Sequence, residues 1–155
     1  MAESVLNHKR LLVVDDETDI LKTIEEEILD ACPDTNIDKA IDFENASNLL
    51  KSNVYDLVIL DIMGVRGFDL LKIAVEHKFR VAMLTAHALS PEALKKSRDM
   101  GAMAYLPKDK LGELVPFLES VLLNDHESGW KQLLSKLEDY FNEQWGPDWW
   151  NKSWY

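Results

Sequence analysis

The chain has 155 residues, enough for one domain of ordinary size and a short extension. At 46% hydrophobic and 29% charged its composition is globular, which excludes wholesale disorder. With 17 basic against 28 acidic side chains the formal charge is −11, the wrong sign for a phosphate-neutralising surface, so nucleic acid is not an expected partner.

Three further exclusions narrow the class. Cys32 is the only cysteine, so an internal disulfide framework and a cysteine-based zinc site are both ruled out. Met1-Ala2-Glu3-Ser4 is not a basic start followed by an apolar run, so no secretory signal is expected. No window approaches the roughly 18 apolar residues of a membrane span. The expectation is a soluble, cytoplasmic protein.

In chain order, short apolar runs alternate with segments of helical period. Leu11-Leu12-Val13-Val14 ends at Asp15-Asp16. Ile20, Leu21, Ile24 and Ile28 then recur at helical spacing, and a weaker strand fits Asn36–Ile41. Ala46, Leu49 and Leu50 mark a second helix, and Leu57-Val58-Ile59-Leu60 is a strand ending at Asp61. Phe68, Leu70, Leu71 and Ala74 form a third helical face before Val81-Ala82-Met83-Leu84, which ends at Thr85. Ser90-Pro91-Glu92 is a helix start, since Ser accepts an orphan N–H bond and Pro suits the first helical position. Gly101 stops that helix, and a second weak strand fits Met103–Leu106. Leu114, Phe117, Leu118, Val121 and Leu122 give a fifth helix with Pro116 in or near its first turn, where a missing N–H costs little.

The strong strands are uniformly apolar rather than alternating, as in a parallel sheet covered on both faces. Five β-α repeats imply right-handed crossovers and a doubly wound α/β sheet. Such sheets bind ligands at the carboxyl ends of their strands. Asp15, Asp16, Asp61 and Thr85 end the three strongest strands, and Lys108 follows the fifth by two positions. Singly, a strand-end Asp is a turn former or helix cap. Together, three converging carboxylates repel one another and call for a cation. Hard oxygen ligands in small number suit Mg²⁺, Lys108 supplies a mobile positive charge, and Thr85 a hydrogen-bond donor. That set is suited to phosphoryl transfer.

Leu12-Val13-Val14-Asp15-Asp16-Glu17, Asp56-Leu57-Val58-Ile59-Leu60-Asp61, Leu84-Thr85-Ala86 and Gly101-Ala102-Met103-Ala104-Tyr105-Leu106-Pro107-Lys108, in this order and spacing, resemble the receiver domain of two-component response regulators. The resemblance covers roughly residues 8–124 and implies a flavodoxin-like fold with strand order 2-1-3-4-5. It implies that Asp61 is the phosphoacceptor. Asp15, Asp16, Asp61 and the backbone carbonyl of Met63 would hold Mg²⁺. Thr85 and Lys108 would bind the phosphoryl group, and Tyr105 is in the position of an aromatic switch that turns inward on activation. The implied partners are a sensor histidine kinase or a histidine phosphotransfer protein, and an unknown downstream protein met through the fourth helix, fifth strand and fifth helix.

Three features depart from the family. The loop Asp61-Ile62-Met63-Gly64-Val65-Arg66-Gly67 reaches its Gly about two residues early. Asp109 follows Lys108 where the family has Pro, which argues against a cis bond there. His87 stands two residues after Thr85, at the rim of the site, where the family tunes the lifetime of the phosphoryl group.

All five tryptophans lie after residue 129, so composition divides the chain into a receiver segment, 1–125, and a C-terminal segment, 126–155. The latter is too short for a separate output domain. Trp130, Leu133, Leu134, Leu137, Tyr140, Phe141 and Trp145 lie on one face of a helix expected over 128–145, which Gly146-Pro147 ends. Trp149, Trp150 and Trp154 are expected to fold back. Three fates are open to this helix. It packs on the chain's own fifth helix, whose Val115, Leu122 and Leu123 exceed one sheet-facing stripe, within the chain or exchanged in a homodimer. It docks on another protein. Or it lies on a membrane surface, which the negative charge disfavours. The function expected is a phosphorylation-dependent switch. The alternative is a scaffold that uses its aromatic tail constitutively, and an independent Mg²⁺-dependent phosphatase is disfavoured because no separate substrate pocket or general acid is visible.

Overall fold

The computed structural model describes residues 3–86 and 90–149. Five strands form one parallel sheet: β1 (Arg10–Val14), β2 (Asn36–Ala40), β3 (Leu57–Asp61), β4 (Arg80–Thr85) and β5 (Ala104–Pro107). Their order is β2-β1-β3-β4-β5. The sheet is α/β, doubly wound and flavodoxin-like, as expected. The uniformly apolar runs have the expected cause: every residue of β3 is buried, as are all but the first of β1 and of β4.

The helices are α1 (Thr18–Ala31), α2 (Phe43–Ser52), α3 (Gly67–Glu76), α4 (Pro91–Asp99), α5 (Leu114–Leu123) and α6 (His126–Trp145). Right-handed crossovers in this strand order place α1 and α5 on one face and α2, α3 and α4 on the other, and α1 does pack on α5 and α2 on α3. Each helix buries the stripe its sequence announced, Leu21, Ile24 and Ile28 in α1 and Leu70, Leu71 and Ala74 in α3. Ser90 caps α4 by accepting the Ala93 N–H at 3.1 Å, with Pro91 in the first helical position. Gly101, at φ 101°, ends that segment in a backbone region closed to most side chains. Strand β5 begins and ends one residue later than expected, and a 3₁₀ turn (Lys108–Glu113) joins it to α5. The described peptide bonds are all trans.

Helix α6 starts two residues before the expected 128, where Asp125 caps it by accepting the Ser128 N–H at 2.8 Å. It packs in cis on α5, as expected, and on β5 as well, though not through every leftover apolar residue of α5. Leu123 stays 70% exposed, and Val115 and Leu122 are only partly buried. Helix α6 lies along the outer edge of the sheet, against β5, with α5 touching one flank. The reason is the larger gain: β5 is an edge strand, and covering it hides both apolar side chains and unpaired backbone. Trp130 reaches past the helix to donate its indole N–H to the Ala102 carbonyl at 2.8 Å, and His126 Nε2–H donates to the Arg98 carbonyl at 3.1 Å. Leu133, Leu137 and Phe141 complete the buried stripe.

The chain turns at Gly146, and Trp149 folds back as expected, donating from its indole N–H to Asn142 Oδ1 at 3.0 Å. Trp150 and Trp154 lie outside the described residues.

Burial predicts which apolar residues matter here. Trp130→Ala should cost about 3 kcal/mol, by losing a buried aromatic and leaving the Ala102 carbonyl unpaired. Leu123→Ser should change stability by no more than about 0.5 kcal/mol. Urea denaturation of the two variants checks both values.

Candidate functional site

The register carries the acidic side chains to one edge. Val14 pairs with Leu60 and Asp61 with Leu84, so Asp15, Asp61 and Thr85 end neighbouring strands at the same level, and Lys108 directly follows β5. The Asp15 N–H is fixed to the Ala40 carbonyl at 3.1 Å, and the Ile62 N–H to the Leu84 carbonyl at 3.1 Å.

Asp15 and Asp61 are both buried, and Asp16 is exposed beside them. Carboxylate oxygens of all three lie within 4.8 Å of one another. Asp15 also keeps the turn-forming role of a strand-end Asp: its Oδ1 accepts the Glu17 N–H at 2.9 Å as the chain bends into α1. Its Oδ2 is sealed from solvent and pairs with the Lys108 ammonium at 2.9 Å. Lys108 lies between the carboxylates, 3.3 Å from Asp61 Oδ1 and 3.4 Å from Glu17 Oε1.

Charge and burial act against each other here. Burial raises the Asp61 pKa first and the Asp15 charge adds to it, while Lys108 opposes; the result is about 6 against an ordinary 3.8. Asp15 is likewise raised, chiefly by burial, with Lys108 opposing. For Lys108 burial disfavours the ammonium, but its bonds to Asp15 and Asp61 outweigh that and raise its pKa.

The loop after β3 explains how so short a connection serves. Gly64 has φ 84°, and a Cβ there would collide with the Asp16 carboxylate. At Gly67 a Cβ would collide with the Asp61 carbonyl oxygen and come within 2.7 Å of the Ile62 Cα. The two glycines let the backbone close tightly on the acidic cluster. Met63 is in this loop with its side chain 64% exposed.

Thr85 and Tyr105 are side by side and buried. The Thr85 hydroxyl donates to the Ala86 carbonyl and the Tyr105 hydroxyl to the Ser90 carbonyl, each at 3.4 Å. Tyr105 has no exposed surface, and burial pushes its phenol up to about 12. His87 lies outside the described residues.

The structure therefore gathers Asp15, Asp16, Asp61 and Lys108 at one point and places Thr85 at the end of the adjoining strand. Tyr105 lies behind Thr85. Sequence reasoning missed the contact of Glu17 with Lys108, whose signal was a third acid in the Asp15–Glu17 run. It also missed why the loop can be short, although Gly64 and Gly67 were visible.

Three carboxylates around a small space, two of them buried and with a single ammonium between them, form a donor set that fits a hard divalent cation. Negative charge on a ligand would meet Lys108 and the Thr85 hydroxyl.

Comparison with known proteins agrees with this geometry. The family model of the response regulator receiver domain matches residues 11–119. No curated protein matches the chain. Among solved structures, the receiver domain of the Francisella response regulator 1452 is 27% identical with a TM-score of 0.60, over 72% of this chain and 97% of that one. A response regulator from Thermotoga maritima is 20% identical with a TM-score of 0.66, over 75% of this chain and 98% of that one. The phosphorylated cyanobacterial phytochrome response regulator RcpA is 18% identical with a TM-score of 0.64, over 76% and 95%. The last two show likeness of fold alone. With its family model covering most of the chain, its strand order 2-1-3-4-5 and its acidic strand-end cluster, this chain belongs to the response regulator receiver domain family of two-component signalling.

Proposed function

We propose that the chain is a phosphorylation-dependent switch that accepts a phosphoryl group on Asp61. The observation that carries this reading is the position of Asp61: buried, 3.3 Å from the Lys108 ammonium, and within a cluster with Asp15 and Asp16. An Asp61 carboxylate with a pKa of about 6 is mostly ionised at pH 7, so it is available as a nucleophile.

In the reaction an Asp61 carboxylate oxygen forms a bond to phosphorus of a phosphohistidine, and the N–P bond of the donor breaks. The electron pair of that bond leaves on the donor imidazole nitrogen, and because the phosphohistidine ring carries a proton on its other nitrogen it ends as neutral imidazole. Lys108 neutralises charge on the transferring oxygens, and the Thr85 hydroxyl donates a hydrogen bond to one of them. Asp15, Asp16 and Asp61, with the backbone carbonyl of Met63, would hold Mg²⁺. When bound, the ion supplies positive charge that offsets repulsion between the carboxylates and the incoming phosphoryl oxygens. The chain itself supplies the nucleophile, the ammonium and the hydroxyl. It is a phosphoacceptor that catalyses its own transfer and hydrolysis rather than an enzyme acting on a separate substrate.

The donor proposed is a sensor histidine kinase or a histidine phosphotransfer protein, in the cytoplasm, with a downstream protein as receiver of the signal. The alternative of a constitutive scaffold acting through an exposed aromatic tail loses ground, because Trp130, Leu133, Leu137, Phe141 and Trp149 are buried within the chain. Residues 1–125 would be the receiver unit and 126–155 a structural extension of it. None of the described helices is long and apolar enough to cross a membrane.

With acetyl phosphate and Mg²⁺, intact-mass measurement should detect one phosphoryl group on the chain. Asp61→Asn should abolish it, Asp16→Ala should raise the Mg²⁺ concentration required by tenfold or more (roughly the loss of one hydrogen-bonded or ligating carboxylate), and EDTA should suppress it. Equal incorporation in Asp61→Asn would overturn the assignment.

The raised pKa of Asp61 also has a consequence for stability. In the metal-free protein its proton is bound more tightly when folded, so its contribution is fully present below its ordinary value of 3.8 and is lost as pH rises through about 6. Asp61→Asn should therefore stabilise the metal-free chain at pH 7.5 by ~1–3 kcal/mol, with the gain vanishing towards pH 4. Thermal unfolding in EDTA at several pH values measures this.

A further inference from the structure

Lys108 begins the 3₁₀ turn that joins β5 to α5, and its ammonium has to meet Asp15, Asp61 and Glu17 at once, at 2.9, 3.3 and 3.4 Å. A lysine reaches with a flexible stem, so its ammonium is placed only as well as the backbone beneath it. That backbone is weakly fixed from within. A 3₁₀ turn has poor hydrogen-bond geometry, its N-cap Pro107 makes no side-chain capping bond, and Lys110 breaks its regularity at φ −110°, ψ 22°. Asp109, next to Lys108, also leaves φ free where a proline would set it.

Helix α6 supplies a constraint from outside. The Tyr140 hydroxyl donates to Asp109 Oδ2 at 2.7 Å, a short bond to a carboxylate. The Lys110 ammonium lies 5.4 Å from the centroid of the same ring. Tyr140 therefore touches both residues that follow Lys108. Its ring meets Phe141 edge-on at 5.8 Å, and Phe141 is fully buried, so the donor rests on the core of the chain. Burial first, and the bond to Asp109 second, raise the Tyr140 pKa, so the hydroxyl keeps its proton and stays a donor at neutral pH.

We propose that Tyr140 is a positioning residue for phosphoryl transfer: by holding Asp109 it fixes the turn after β5, and so keeps the Lys108 ammonium between the carboxylates, where the transferring oxygens would arrive. The inference rests on Asp61 being the phosphoacceptor. Tyr140 touches no reacting atom and acts only through Lys108. Helix α6 is then part of the apparatus of the site as well as the cover of a strand edge, and it serves without moving.

The test follows phosphoryl incorporation from acetyl phosphate with Mg²⁺ over time, by intact mass, on the full chain. Tyr140→Phe keeps the ring and its contacts and removes only the hydroxyl. It should slow incorporation about fivefold, with the Mg²⁺ requirement and thermal unfolding unchanged. Asp109→Ala should slow it as much and the double variant no further. Asp109→Asn, which keeps an acceptor oxygen, should recover most of the rate. In a Lys108→Ala chain Tyr140→Phe should have no effect, because the group it places is gone. Incorporation at the original rate in Tyr140→Phe overturns the inference and leaves the proposed function standing. So does a loss that persists in the Lys108→Ala chain, or losses from Tyr140→Phe and Asp109→Ala that multiply. If the unsubstituted chain takes up no phosphoryl group, the proposed function falls, and the seating of the turn is judged by hydrogen exchange. Amides of residues 109–113 should then exchange about threefold faster in Tyr140→Phe while those of 129–137 stay protected. Equal exchange in the turn overturns the inference.

Discussion

The arrangement of the site depends on Lys108 holding two buried carboxylates together. Asp15 and Asp61 are placed at neighbouring strand ends by a register that burying the sheet on both faces leaves no freedom to change. Left alone, two such groups would repel each other in a medium of low dielectric, and one would take up a proton. The ammonium at 2.9 and 3.3 Å opposes this, while burial, the larger effect, keeps both acids raised. Three clustered carboxylates share one ammonium, which is the physical case for a divalent cation there.

The loop after β3 is the second half of that constraint. Here the chain runs close against Asp16 and against the backbone of Asp61. Only glycine can do so at positions 64 and 67, because any Cβ there would enter Asp16 or the Asp61 backbone. The length of the loop and the identity of two residues in it are thus set together by the nearness of the carboxylates.

Much of this was legible in the chain order. Strands covered on both faces read as uniform apolar runs, and three of them ended in Asp or Thr, so the acidic edge followed from the pattern and from the strand-end rule. Boundaries of the weak strands slipped by a residue, because β2 and β5 are short edge strands whose limits depend on what covers them. The seat of α6 on α5 was foreseen, and its contact with β5 was not. Its buried stripe was plain in the sequence, but its partner surface was inferred from leftover apolar residues on α5, and Leu123 remained exposed. Spare apolar residues are common on a surface, whereas an uncovered strand edge is not, so the edge decided the packing. The contacts of Glu17, Tyr140 and Asp109 were invisible, since each joins residues distant in sequence by charge or hydroxyl chemistry that no periodicity records.

Strand β5 is where these threads meet. Its one strand carries Tyr105, and Lys108 directly follows it, so the group that answers the acidic cluster and the ring that α6 covers are three residues apart on a rigid element. A helix laid along an edge strand satisfies two needs at once: it removes a pairing edge that would invite aggregation, and it hides a leucine-aromatic stripe that could not stay in water. It also lays the Phe141 ring 6.3 Å from that of Tyr105, three residues before Lys108. Protection of the edge and contact with the strand that leads to Lys108 therefore belong to the same helix.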